Sequence, residues 1–201
     1  MSNTIDPVWI LTEKKTVSQI LGAAIHDGHV IRPDLLPFIA LSKSERLREE
    51  DPFTGEWARV AGASLVGTRS RFEVDLNRPR DLAIYRTPED AWGLKVFKEK
   101  VPEEIIDASL AEYDAFYEAM KELFARTVEA HDHFVVLDIH SYNHRREGPD
   151  ATPADSEGNP EVNLEPNRFG TGRLFNPSSN ASWMISRVLT TTGATLMFGK
   201  T

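Results

Sequence analysis

Two hydrophobic periods alternate along the chain and place most of its elements. In VSQILGAAI, residues 17–25, the chain becomes continuously apolar or small just before His26, which predicts a buried strand that delivers a loop at its carboxyl end. A Pro-punctuated stretch follows, in which RPDLLPFIALS and SERLREED predict short helical pieces. DPFTGEWARVAGAS, residues 51–64, suits a helix with Asp51 at or near its N-cap, although Gly55 weakens it. In SRFEVDLNRPRD, residues 70–81, Phe72, Val74 and Leu76 fall on one side of a predicted strand, with Arg71, Glu73, Asp75 and Asn77 on the other; Pro79 ends it. The clearest helix spans 103–130, with Glu103 and Glu104 in its first turn and Ile106, Leu110, Tyr113, Tyr117, Met120, Phe124 and Val128 recurring at spacings of three and four. HFVVLDIHS, residues 133–141, reads as a central strand covered on both faces. Strand, loop, helix, strand is the rhythm of an α/β domain.

From 145 to 166 the chain turns polar and rich in Pro, Gly and Asp, as a surface or active-site loop would. The segment 166–201 contains no Asp or Glu, where roughly five or six would be expected at the density of the whole chain. That contrast divides the chain into a domain over 1–165 and a divergent or shortened tail over 166–201. Composition is that of one globular domain, 40% hydrophobic and 27% charged in 201 residues. The formal charge of -8 argues against nucleic acid as the main partner. No apolar run is long enough to cross a bilayer and the amino terminus lacks a signal-peptide pattern, so a cytoplasmic protein without membrane association is expected. With no cysteine, any metal must be held by His, Asp or Glu.

The candidate chemistry gathers at strand ends. AAIHDGH and VVLDIHS each deliver a histidine where ligands bind in an open α/β sheet, so His26 and His140 can meet there despite their separation in sequence. Two histidines and one carboxylate form a common catalytic zinc set, and the carboxylate-rich REED lies between them. A strand-end histidine is also an ordinary turn residue, and His131, His133 and His144 read as surface or loop positions. Arg71, Asn77 and Arg78 offer donors suited to a carboxylate ligand; alternatively they form an ion-paired face with Glu73 and Asp75. GATLMFGKT has the wrong glycine spacing for a phosphate loop, and the NAS sequon at 180–182 has no secretory context.

Taken together, AAIHDGHVIRP, REEDPFTGEW, SRFEVDLNRPRD and LDIHSYN resemble the N-formylglutamate amidohydrolase family over about residues 20–165. The resemblance implies a zinc carboxypeptidase-like fold, a mixed central sheet flanked by helices, and zinc-dependent hydrolysis of an N-acyl acidic amino acid such as N-formylglutamate. It matches His26 and His140 to the metal-binding histidines. The related group places a Glu three positions after the first histidine, where this chain has His29. Asp51 is preferred as third ligand because it completes a two-His, one-carboxylate set, with His29 next and Glu50 after it. The resemblance further implies that Asn77 and Arg78 hold the substrate carboxylate and that Arg71 polarises the scissile carbonyl. It also implies a catalytic Glu on a late strand, but no acid follows Glu165, and Glu147, Glu157 and Glu161 lie in the loop. The alternative expectation is therefore a truncated, catalytically silent relative that binds metal and carboxylate ligands.

Overall fold

The computed structural model describes residues 9–13, 17–131, 133–145, 148–155 and 157, together with the backbone of 162–167 and 192–200. Among the described residues, six strands form one mixed sheet: β1 (Trp9–Glu13), β2 (Ile20–Ala24), β3 (Ala63–Gly67), β4 (Val135–Asn143), β5 (Val162–Asn167) and β6 (Thr192–Lys200). Their spatial order is β1-β3-β2-β4-β6-β5. The four central strands run parallel, and β1 and β5 close the two edges antiparallel. The segment carrying GATLMFGKT is β6, which pairs with β4 from Val135↔Thr192 to Asn143↔Lys200. The edge of β4 away from β2 is therefore occupied by backbone from the acid-free segment.

Period two along the strands assigns the faces. Leu21 and Ala23 of β2, Leu65 of β3 and Val136 of β4 pack into the larger core with Ile106, Tyr113, Phe116, Met120 and Phe124 of the long helix α3 (Glu103–His131). On the opposite face Ala24, Val66 and Ile139 pack against Ala58 of the short helix α2 (Thr54–Ala58). Gly22 makes that second contact possible: a Cβ there would lie 2.3 Å from the Ala58 carbonyl oxygen. A third helix, α1 (Lys43–Glu49), is closed at its start by a Ser42–Glu45 capping box.

Two expected elements differ. The helix expected over 51–64 is confined to α2; its N-cap is Phe53, in left-handed backbone at φ 73°, and residues from Ala63 onward are β3. Asp51 does not cap it, because its carboxylate is engaged by His140 and Ser141; the backbone N–H of Gly55 instead donates to Asp27 Oδ1 at 3.1 Å. The strand expected over 70–81 is a series of turns. Its alternation is misleading because the polar positions Glu73 and Asp75 are as buried as Phe72 and Val74. Polar groups tolerate that burial only with partners, and Glu73 receives the Arg32 backbone N–H at 2.7 Å and faces its guanidinium at 3.2 Å. Helix α3 braces this loop: Tyr113 and Tyr117 donate their hydroxyls to the carbonyls of Arg78 and Leu76 at 2.8 and 2.5 Å. Among the described residues no helix is long and apolar enough to cross a membrane.

Candidate metal centre

At the carboxyl ends of β2 and β4, His26, Asp51 and His140 bring one potential ligand atom each within 4.8 Å of one another. His26 lies in the turn two residues beyond the end of β2, and His140 lies inside β4. Asp51 arrives on the segment after α1, fixed by its backbone N–H donating to the His26 carbonyl at 2.9 Å. Gly28 lets the intervening loop pass the sheet, since a Cβ at that position would meet the Thr68 carbonyl carbon at 2.1 Å.

Both imidazoles have a defined orientation. His26 Nε2 donates to Asp75 Oδ1 at 2.7 Å, and His140 Nε2 faces Asp138 Oδ1 at 3.2 Å. An ionised carboxylate only accepts, so Nε2 carries a proton on His26, while on His140 it is Nδ1 that donates, to Asp51 Oδ2. Each Nδ1 turns toward Asp51 Oδ2, at 3.5 Å from His26 and 3.0 Å from His140. His26 Nδ1 is buried without a hydrogen-bond partner, an arrangement that is costly unless something else uses its lone pair. Two Nδ1 atoms and a carboxylate oxygen converging, each imidazole backed by a second carboxylate, form a donor set suited to zinc or a similar divalent ion. Among the described residues, the three fit such an ion.

Electrostatics agree with the geometry. Burial opposes the charge of Asp51, but the hydrogen bond from His140 and the nearness of His26 outweigh it and hold the carboxyl below its usual range. Burial likewise opposes the charge of His140, yet Asp138 and Asp51 lift its pKa to about 10. Asp75 is fully enclosed, and despite that burial His26 and Arg71 hold it well below the carboxylate range.

Asp75 also joins the centre to a cationic region. Arg71 Nη2 donates to Asp75 Oδ2 at 2.9 Å, Arg78 Nε approaches the same oxygen at 3.6 Å, and Tyr85 donates its hydroxyl there. Arg71 lies over the Trp92 ring at 4.8 Å and Arg78 over the Tyr85 ring at 4.5 Å. Two guanidiniums thus share one carboxylate, which leaves the region with a positive balance. The ion pair expected between Arg71 and Asp75 is present, on a loop rather than on a strand. Asn77 is exposed at the rim and reaches Asp75 through its backbone N–H at 2.9 Å.

His29 and Glu50 stand outside the cluster of three. His29 Nδ1 donates to Glu50 Oε2 at 2.7 Å, and Ser70 donates to the other Glu50 oxygen at 2.5 Å. Of the loop acids, Glu157 is exposed, and Glu147 and Glu161 lie outside the described residues. Sequence reading missed Asp75 and Asp138 as partners of the histidines. For Asp138 the signal was present: in DIH it sits two positions before His140, on the same side of a strand.

Residues 18–195 match the family described as N-formylglutamate amidohydrolase. A crystal structure of N-formylglutamate amidohydrolase from Ralstonia eutropha JMP134 superposes with a TM-score of 0.66 at 15% identity, covering 95% of this chain and 85% of that one. A gene product from Agrobacterium tumefaciens superposes at 0.64 and 13% identity, covering 96% and 85%. At these identities the likeness establishes the shared fold. No curated protein matches the sequence.

Proposed function

Because the chain belongs to the N-formylglutamate amidohydrolase family, we propose that it is a metal-dependent hydrolase that cleaves the amide of an N-acyl acidic amino acid. The observation that carries this reading is the convergence of His26 Nδ1, His140 Nδ1 and Asp51 beside a cationic region built on Asp75. A divalent ion, zinc by donor chemistry, held by His26, Asp51 and His140 would supply a Lewis acid and an acidified water.

The chain's own residues divide the remaining work. Asp75 and Asp138 stand behind the Nε2 atoms of the two imidazoles, so that both Nδ1 atoms face the centre, and His140 Nδ1 would give up its proton to a bound ion. Arg78, with Asn77 at the rim, receives the substrate's carboxylate by charge-assisted hydrogen bonds. Arg71 opposes the negative charge that develops on the scissile carbonyl oxygen, and Asp75 and Tyr85 fix its fork in place. In the overall step water adds its oxygen to the acyl carbon, the C–N bond breaks, and the amine nitrogen takes up the proton.

The test is metal analysis of the purified chain together with release of glutamate from N-formyl-L-glutamate. Stoichiometric zinc and turnover are expected, and loss of both in the presence of a chelator. His140→Ala should abolish metal retention, and Arg78→Ala should mainly raise KM. A His140→Ala protein that keeps full zinc would refute the ligand assignment. The silent-relative reading draws on one observation: Asp51, Asp75 and Asp138 each face an imidazole, and among the described residues no further acid joins the cluster. Binding of N-formylglutamate without product would favour it.

A further inference from the structure

Beside the two arginines of the cationic region stands Trp92, whose side chain is exposed and whose backbone is left-handed at φ 53°. Such a backbone is disfavoured for a bulky residue and persists only where its surroundings impose it. The turn Pro88–Ala91 imposes it here: Thr87 and Asp90 form a capping box, and the Gly93 backbone N–H donates to the Pro88 carbonyl at 2.7 Å. That turn reaches the site twice. Arg78 Nη2 donates to the Asp90 carbonyl at 2.6 Å, and the Arg78 guanidinium lies in a corner between the Tyr85 ring, at 4.5 Å, and the Trp92 ring, at 5.8 Å. Tyr85 is buried and forms the inner wall of the corner; Trp92 forms the wall on the solvent side. Contacts then run unbroken to the centre, from Trp92 through Arg71 to Asp75 Oδ2, and from Asp75 Oδ1 to His26 Nε2.

The two guanidiniums depend on the indole to different degrees. Arg71 is held at all three of its nitrogens, by the Tyr85 hydroxyl and the Glu49 carbonyl at 3.2 Å each and by Asp75 at 2.9 Å. Arg78 has the Asp90 carbonyl and a loose 3.6 Å approach to Asp75, and among the described residues nothing accepts from its Nη1. We propose that Trp92 is a positioning residue of the substrate site: its π face holds the Arg78 guanidinium so that Nη1 is presented to the substrate's carboxylate. The inference rests on the hydrolase reading above and adds a residue to it. Two cations that share one carboxylate repel each other, and the more weakly held one tends to swing out into water. The negative face of the indole offsets that repulsion on the side where Arg78 could escape, and it engages the charge without consuming an N–H donor.

The experiment is steady-state hydrolysis of N-formyl-L-glutamate by the full chain supplied with zinc, reading glutamate release, for Trp92→Phe and Trp92→Leu. Both replacements carry a Cβ and so meet the same backbone requirement, and both fill the space, but only Phe keeps a π face. Trp92→Leu should raise KM by about threefold to tenfold with kcat within about twofold, and Trp92→Phe should stay within about twofold of the natural KM. In an Arg78→Ala background Trp92→Leu should change KM by less than about twofold, because its effect passes through that guanidinium. A Leu variant that matches Phe shows packing alone and overturns the proposal, as does a Leu effect of the same size in the absence of Arg78. If the natural chain cleaves nothing, the hydrolase reading fails, and calorimetric titration of the same variants with L-glutamate decides the role of the indole. Affinity kept in Trp92→Phe and weakened in Trp92→Leu sustains it; equal affinities, or no binding to the natural chain, overturn it.

Discussion

Each histidine of the centre has a carboxylate behind it, Asp75 at 2.7 Å from His26 and Asp138 at 3.2 Å from His140. Asp75 has the wider set of partners, since it also receives Arg71 and Tyr85. Exchanging it for Asn removes the charge that holds His26 in one tautomer, and loss of such a partner typically costs 10- to 100-fold in metal affinity. Asp75→Asn should lower zinc affinity within about that range in a chelator competition, and unchanged affinity would refute its role. His29 offers a separate pH signature. Its hydrogen bond to Glu50 raises its pKa above the ordinary 6.5, against the opposing effect of burial. The folded chain thus binds this proton more tightly than the unfolded chain; the stabilisation is fully present below about pH 6.5 and is lost as pH rises through the folded value. The melting-temperature gap between the natural chain and His29→Gln should be widest near about pH 6 and close on the alkaline side. A gap independent of pH would contradict the pairing. The convergence of the two histidines and Asp51 could be read in sequence because strand ends and donor chemistry mark them. Asp75 could not, because its meaning lies in partners brought from residues 26, 71 and 85.

Among the elements, those whose pattern reflects one buried face were legible: β2, β4 and α3 lie close to where periodicity puts them. The apolar stripe of α3 is shifted, with Phe116 and Leu123 inside and Val128 exposed, because the helix packs against the braced loop as well as the sheet. The loop at 70–81 was misread for the reason that makes it useful: paired charges let both of its sides be buried. Strand β3 was hidden in AGASLVG because small residues carry little periodic signal. Two exchanges test how elements support one another. Gly22→Ala places a methyl 2.3 Å from the Ala58 carbonyl oxygen and must push α2 off the sheet. It should cost about 1–3 kcal/mol in urea denaturation, and a smaller cost would show that α2 yields easily. Tyr117→Phe removes the hydroxyl that binds the Leu76 carbonyl and should cost about 1 kcal/mol, again read from denaturation.

For the molecule as a whole, a metal held as proposed by His26, Asp51 and His140 would tie β2, β4 and the segment after α1 together, so binding and stability would be linked. Metal at 100 times its Kd should add about 2.7 kcal/mol, and at about 2–4 °C per kcal/mol for a chain of this size the melting temperature should rise by roughly 5–10 °C. A chelator should reverse the shift, and a melting temperature indifferent to zinc would count against the centre. The parallel pairing of β2 with β4 has a consequence in time. Ile20 and Val135 are neighbours in the sheet, yet α1, α2, β3 and the whole of α3 are made between them. Pairings so distant along the chain form slowly, because loop closure must precede the contacts that reward it. During synthesis His26 and Asp51 leave the ribosome well before His140 does. A growing chain therefore carries only an unassembled portion of the proposed metal cradle until His140 has been made.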